Sequence, residues 1–333
     1  MKKYKAYGIG AALVDTEIKV QDRELAQMNV EKGLMTLVDQ DRRGELLGHL
    51  EGHLVKASHA SGGSAGNSMI ASAQFGGPTF MSCKVANDAD GDIYIADLEA
   101  AGVDHCLNGE RAAGTTGKCL VLITPDAERS MNTFLGISET LSTEQLDATA
   151  IADSEYLYIE GYLVTSPTGR AAAVKAREIA EAAGVKTSLS FSDPGMVEFF
   201  RDGMAEIIGE RVDLVFCNEA EALGWAQSDN LEVAVEKLKQ VANSFVITRG
   251  AEGALTFDGT EHSDIPPHRV HAVDTNGAGD MFAGAFLYAI TRGEDFPTAG
   301  RFASLAAGKI VANYGPRLPA EEYPALRTEF FGD

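Results

Sequence analysis

Cysteine is scarce in this chain, with four in 333 residues. Cys83, Cys106, Cys119 and Cys217 neither cluster nor form a CxxC pair. That excludes the usual spacing of a zinc or thiol redox site. It also argues against a disulfide framework in a chain long enough to build its own core. They read as reduced thiols of a cytoplasmic protein. Long hydrophobic runs are absent too, and nothing approaches the roughly 18 uninterrupted apolar residues of a membrane span. The opening MKKYKAYGIGAALVD has only a short apolar run, which meets Asp15 without a convincing cleavage site and is not read as a signal peptide. Basic residues are few: 28 Lys and Arg against 49 Asp and Glu leave a formal charge of −21. A nucleic-acid surface needs clustered cations, so that partner is excluded, and the acidity is read as solubility. Low-complexity tracts, internal repeats and long linkers are missing. With 45% hydrophobic and 23% charged residues, the chain is expected to fold around one large core.

What is present is alternation. Short apolar runs predict strands over Tyr7–Val14, Thr79–Val85, Lys118–Thr124, Tyr156–Gly161, Lys186–Ser190, Leu214–Cys217, Ser244–Thr248 and Gly253–Phe257. Helical patterns lie between them, among them Ser64–Phe75, Pro167–Ala183 and Leu231–Val241. Two more run from Met281 to Asn313, broken near Gly293–Pro297. Strand–helix–strand repetition implies an α/β fold, a parallel sheet with helices on both faces and right-handed crossovers. Residues 16–38 and 104–134 depart from that rhythm through polar alternation and turn residues. They are expected to form a small accessory sheet over one edge of a single domain spanning 1–333.

Several chemical templates fail. Gly8-Ile9-Gly10 begins a dinucleotide fingerprint, but Leu13 stands where the third glycine belongs. Gly117-Lys118 and Gly308-Lys309 lack the rest of a P-loop. His49 and His53 have zinc-protease spacing without the glutamate, since Leu50 follows His49. Asp88, Asp90 and Asp92 suggest a calcium loop, but Gly91 is misplaced for one, and an acidic helix start is the better reading. Gly62-Gly63-Ser64-Ala65-Gly66 matches GxSxG, but the segment before it is a poor buried strand. A glycine-serine turn opening a helix competes with a nucleophilic serine.

The informative segment is Asp274-Thr275-Asn276-Gly277-Ala278-Gly279-Asp280, which runs straight into an apolar helix. Small residues let a ligand approach the backbone, and N–H groups at a helix N-terminus favour an anion. An acid there would repel an anion. It makes sense if Asp280 takes a proton from an attacking hydroxyl while the N–H groups hold the phosphate under attack. A helix-capping Asp280 is the competing reading.

The sequence resembles the ribokinase-like family, also called the PfkB family, over nearly its whole length. The DTxGAGD box is Asp274–Asp280. The earlier glycine pair with a downstream Asn is Gly62, Gly63 and Asn67. The first strand with its Asp is Gly8, Gly10 and Asp15. Val85–Gly91 is similar to the family's VGxDxxG, with Ala86 in place of the glycine. NxxE is Asn218–Glu221 and TxG is Thr248–Gly250. The resemblance implies a three-layer α/β/α domain with a mainly parallel central sheet and a small β-sheet lid. It implies an ATP- and Mg²⁺-dependent kinase acting on a primary hydroxyl. Asp280 would be the base, Gly277, Ala278 and Gly279 the anion hole, and Asp15, Gly62, Gly63 and Asn67 the acceptor's hydroxyl ligands. Asn218 and Glu221 would organise Mg²⁺ through water, with Thr248, Gly250 and Asp274 on the nucleotide side. A monovalent cation such as K⁺ would sit near Asp274, Asn276 and Gly315.

Arg129-Ser130-Met131 and Gly315-Pro316-Arg317 resemble the adenosine-kinase-like branch, in which an arginine swings over the phosphates. Arg suits this because its fork binds phosphate oxygens in pairs. In that branch Met35, Leu37 and Tyr162 would flank a nucleobase. A free-sugar kinase is the alternative, and a non-catalytic nucleoside- or sugar-binding protein a further one. Monomer and homodimer both remain open.

Overall fold

The chain is described by a computed structural model covering residues 2–53 and 58–332. In chain order its strands are β1 Tyr4–Ile9, β2 Leu13–Lys19, β3 Met35–Leu37, β4 Ser58–Gly62, β5 Thr79–Ser82, β6 Val103–His105, β7 Gly117–Ile123 and β8 Arg129–Phe134. They continue with β9 Ser154–Glu160, β10 Lys186–Ser190, β11 Val212–Asn218, β12 Ala242–Thr248, β13 Ala254–Phe257 and β14 His262–Ile265. Nine of them form one sheet in the order β14-β13-β12-β11-β10-β9-β1-β5-β6. Every pairing from β6 through β12 is parallel, and β13 and β14 close the far edge as antiparallel strands.

The sheet is covered on both faces, and the strand alternation explains why. In β9, Tyr156 and Tyr158 face a core with Met69, Phe286 and Phe302, whereas Leu157 and Ile159 face the opposite core with Leu163, Ala173 and Met204. The helix Ala278–Arg292 is buried almost all round, from Met281 through Ala289, so it sits within its layer rather than at the surface. It packs against Ser64–Gln74 with no room to spare: a side chain at Gly284 would overlap the Ser68 carbonyl. Gly293, at φ 104°, ends it where the break is expected.

The strand expected over Tyr7–Val14 is two strands. The chain leaves the large sheet at Gly10, where a side chain would collide with the Glu160 carboxylate and Ala65, and re-pairs from Leu13 in a second sheet. That sheet has the order β3-β8-β7-β2-β4. It extends beyond the expected segments, starting at Leu13 and drawing in β4, whereas β6 belongs to the edge of the large sheet. Its outer face, with Ile18, Leu120 and Leu122, is packed by Leu25 and Met28, near Asp22–Gln27, and Leu46 and Leu50, near Gln40–His49. Its inner face, with Cys119, Leu13 and Met131, looks across a cleft at the large sheet.

Asp88 opens the helix Ala89–Ala100 by accepting from the Gly91 N–H at 2.8 Å, the acidic helix start expected of that stretch. His53 Nε2 lies 3.2 Å from Glu24, and among the described residues no group of three or more His, Cys, Asp or Glu could hold a metal ion. All four cysteines are free thiols. Among the described residues no helix is long and apolar enough to cross a membrane.

Candidate active site

A cleft of about 620 Å³ lies at the carboxyl ends of the parallel strands. Glu160, Ser190, Asn218 and Thr248, the last residues of β9 to β12, all line it. Open α/β sheets bind ligands at this edge.

Its floor is the start of the helix Ala278–Arg292. Gly277 caps that helix at φ 72°, and a Cβ there would lie 2.6–2.7 Å from the Pro316 backbone, so both conformation and space demand glycine. Gly279 differs: nothing lies within 4 Å of a Cβ built on it, because its missing side chain opens onto the cleft. The first-turn N–H groups of a helix have no partner within it, a chemistry that suits an anion.

Asp280 is the third residue of the helix, on the same floor. Its Oδ1 accepts from Ser64 Oγ at 2.7 Å and its Oδ2 from Asn67 Nδ2 at 3.0 Å. Withdrawal from water raises its pKa above the ordinary carboxylate value, while Ser64, Asn67 and the Arg129 charge pull the other way. Neither oxygen caps its own helix; both are held by the neighbouring one. Ser64 is thus a donor to Asp280, which accounts for the GxSxG match without a nucleophile.

Facing Asp280, Asp15 projects from β2. Its carboxyl is pushed up to about 7, first by burial and then by the charge of Glu17. A side chain at Gly62 would fall on that carboxylate, and one at Gly63, at φ 89°, on the Ala11 carbonyl. The glycine pair therefore lets the second sheet close down on the start of Ser64–Gln74. Above Asp15 the wall turns apolar, with Met35 and Leu37 of β3 and Tyr162, whose hydroxyl donates to the Ser192 carbonyl at 3.2 Å.

Arg129 starts β8 and reaches the floor, where its Nη1 donates to the Thr275 carbonyl at 3.1 Å. Its Nε and the Oδ1 of Asn67 are buried at the cleft without a hydrogen-bond partner among the described residues. A bound polar ligand relieves such atoms.

At the other end, Asn218 and Glu221 form a reciprocal cap on Glu219–Ala226. Asn218 Oδ1 accepts from the Glu221 N–H at 2.8 Å and Glu221 Oε2 from the Asn218 N–H at 2.9 Å. The NxxE spacing thus has a structural cause as well as a place in the cleft. Burial raises the Glu221 carboxyl to about 7. Thr248 and Gly250, at φ 55°, border the same end.

The cleft brings together Asp280, Gly277, Ala278, Gly279, Arg129, Asp15, Gly63, Asn67, Met35, Leu37, Tyr162, Asn218, Glu221, Thr248, Gly250 and Asn276. Gly62, Asp274 and Gly315 lie behind its surface. Asp274 is fully buried and accepts from the Asn276 N–H at 2.8 Å and the Gly315 N–H at 3.0 Å, so it ties the loop down from beneath.

The sequence reading weighed Ser64 only as a nucleophile and missed Glu160 altogether. Glu160 accepts from the Ala65 N–H at 2.8 Å and the Ala11 N–H at 3.2 Å, which joins the end of β1 to the start of Ser64–Gln74. Burial pushes its carboxyl up to about 7. The available signal was a lone acid closing the apolar run Tyr156–Ile159.

The model of the pfkB family carbohydrate kinases matches residues 35–322. The chain belongs to the pfkB family. It is a kinase that transfers phosphate to an alcohol group, of the carbohydrate and nucleoside kinase type. It is similar to an adenosine kinase of Saccharomyces cerevisiae, 28% identical with 94% of this chain and 96% of the yeast protein covered. The solved adenosine kinase of Sinorhizobium meliloti is 34% identical, with a TM-score of 0.92 over 98% of this chain and 99% of that one. A probable sugar kinase of Rhizobium etli is 33% identical, with a TM-score of 0.93 over 100% and 99%. These pfkB structures share the large mainly parallel sheet and the small second sheet.

Proposed function

We propose that this pfkB kinase phosphorylates the primary hydroxyl of a nucleoside with ATP, using Asp280 as general base. The observation that carries the reading is the floor of the cleft. A carboxylate held by Ser64 and Asn67 stands beside the glycine-lined N-terminus of Ala278–Arg292, opposite Asp15. Phosphoryl transfer asks for little beyond positioning, charge neutralisation and a base at the nucleophile.

Asp15, Gly63 and Asn67 hold the acceptor's hydroxyls and direct the primary one between Asp280 and the γ-phosphate. That oxygen attacks phosphorus, its proton passes to an Asp280 oxygen, and the bond to the ADP oxygen breaks. The N–H groups of Gly277, Ala278 and Gly279 take the charge on the transferred group. Arg129, with its free Nε, lies over the phosphates. Thr248 and Gly250 border the nucleotide. Mg²⁺ would be held by the nucleotide phosphates, with Glu221 and Asn218 behind water, and supplies charge neutralisation; a single carboxylate is enough for an ion that keeps most of its waters. Asp274, Asn276 and Gly315 would flank a monovalent cation, tested by exchanging potassium for choline. The second sheet acts as a lid on a single domain and excludes water.

The apolar wall of Met35, Leu37 and Tyr162 favours a nucleoside, since a free sugar has no flat apolar face to bury there. The acidic and amide groups around Asp15 suit a sugar equally, so a free-sugar kinase is the second reading. ADP release with ATP and Mg²⁺ against adenosine, inosine, guanosine, ribose and fructose separates them. Turnover with a nucleoside supports the first reading, and turnover with a sugar alone replaces it with the second. Acceptor binding without turnover would favour a binding protein on the kinase scaffold.

A further inference from the structure

The loop before Gly277 is fastened from two sides. Beneath it, the Val273 N–H donates to the Val311 carbonyl at 2.8 Å, and Asp274 accepts from Asn276 and Gly315. From above, it is held by the second sheet at two points. The Thr275 hydroxyl donates to the Ala127 carbonyl at 3.1 Å, and the Thr275 carbonyl accepts from Arg129. Asn276 Nδ2 donates to Glu17 Oε1 at 3.0 Å, a contact between residues 259 positions apart.

Glu17 has no part in the reaction just described. It is 8% exposed, lies on β2, and its carboxylate sits against Gly315, 3.7 Å from where a Cβ would be. It stands two residues after Asp15, so the two carboxylates share one face of one strand. Asp15 faces the acceptor and Glu17 faces the anion-hole loop. β2 is hydrogen-bonded on both sides, to β4 and β7, so it moves with its sheet rather than alone.

We propose that Glu17 is a positioning residue that couples the acceptor pocket to the anion hole. An acceptor held by Asp15 steadies β2, and through the contact Glu17 already makes with Asn276 it steadies the N–H groups that follow at Gly277 to Gly279 under the γ-phosphate. Acceptor and nucleotide therefore tighten each other's binding, and by reciprocity the two factors are equal. This rests on the kinase reading above.

The experiment starts with the wild-type chain and the acceptor that turns over in the panel of adenosine, inosine, guanosine, ribose and fructose. The Kd of Mg²⁺–AMP-PNP is measured by calorimetry with and without that acceptor. The ratio of the two values is the coupling factor. Glu17→Ala is expected to bring that ratio close to one and to lower kcat by roughly ten- to a hundredfold, the effect of misplacing reacting groups. The Kd of the acceptor alone should stay within about threefold. Asn276→Ala should do the same, and the double variant should be no worse than either single one, as expected for two halves of one contact. Glu17→Gln keeps an oxygen that accepts from Asn276 and should restore most of the coupling. It also serves as the control should Glu17→Ala fail to fold. A wild-type coupling factor of one, or an unchanged factor in a folded Glu17→Ala, overturns this inference alone. A wild type inert with every acceptor overturns the kinase reading and this inference together.

Discussion

Ser64 donates its hydroxyl to Asp280 Oδ1 across 2.7 Å, joining the first residue of one helix to the third residue of another 216 positions later. The contact sets both the direction of the carboxylate and its readiness to take a proton. A hydrogen bond to the charged form favours that form, so Ser64 works against the desolvation that raises the Asp280 pKa.

Asp280→Asn should fold with an unchanged melting temperature, bind Mg²⁺–AMP-PNP and lose at least about 10²-fold in kcat, the scale of general-base catalysis. Ser64→Ala should be milder and more telling. Loss of one donor raises the Asp280 pKa further, so the acid limb of kcat/KM moves to higher pH. A profile of Ser64→Ala that superimposes on the wild type would show that the hydroxyl does not tune the base.

The two glycines of the proposed anion hole should fail in different ways. Gly279→Val meets open space, so the protein should melt as the wild type does while turnover disappears, because the side chain occupies the phosphate's place. Gly277→Ala meets Pro316 and a left-handed backbone, so it should lose stability by about 1–2 kcal/mol or more as well as activity. Denaturant melts paired with ADP-release assays distinguish the two.

Asp15, Glu160 and Glu221 each carry a carboxyl raised by burial to about 7, against 3.8 for Asp and 4.5 for Glu as reference values. Between those limits the folded chain binds more protons than the unfolded one. Their contribution to stability is therefore complete below about pH 4 and is lost as pH rises through about 7. The ligand-free protein should melt higher at pH 5.5 than at pH 8, and Glu160→Gln should flatten that slope. Equal melting temperatures at the two pH values would contradict the assignment.

Leu37 is 43% exposed on the rim of the apolar wall, so its loss should not disturb the core. Leu37→Ala should raise KM for a nucleoside by roughly three- to tenfold, for the area it would cover, and leave KM for a free sugar unchanged. Equal effects on both acceptors would remove the wall from nucleobase binding.

Much of this was legible beforehand where the signal is local. Lys186–Ser190 is a strand with those bounds because left-handed residues, Gly184 at φ 64° and Ser192 at φ 69°, stand on either side of it. Gly277 stands out because only glycine tolerates what the backbone does there, and Gly279 because its missing side chain leaves the cleft open. The second sheet was harder. Residues 58–62 are too small and polar to look like a strand, and they form β4 because β2 offers them a partner. Glu160 was hidden as the last letter of an apolar strand. The Glu17–Asn276 and Ser64–Asp280 contacts link distant parts of the chain, and no spacing rule announces them. The reverse also holds: Asn218 and Glu221 were legible as a motif, yet their spacing is what a helix cap requires.

Pro316 lies directly beneath Gly277, near the end of the chain. A domain synthesised from its amino end has β1 to β9, and the cleft residues from Asp15 to Tyr162, long before residues 277 to 316 leave the ribosome. The half-made protein therefore has much of one wall of the cleft but not the helix start that forms its floor. On the kinase mechanism proposed above, the nascent chain could not use ATP until the segment from Gly277 to Pro316 is seated.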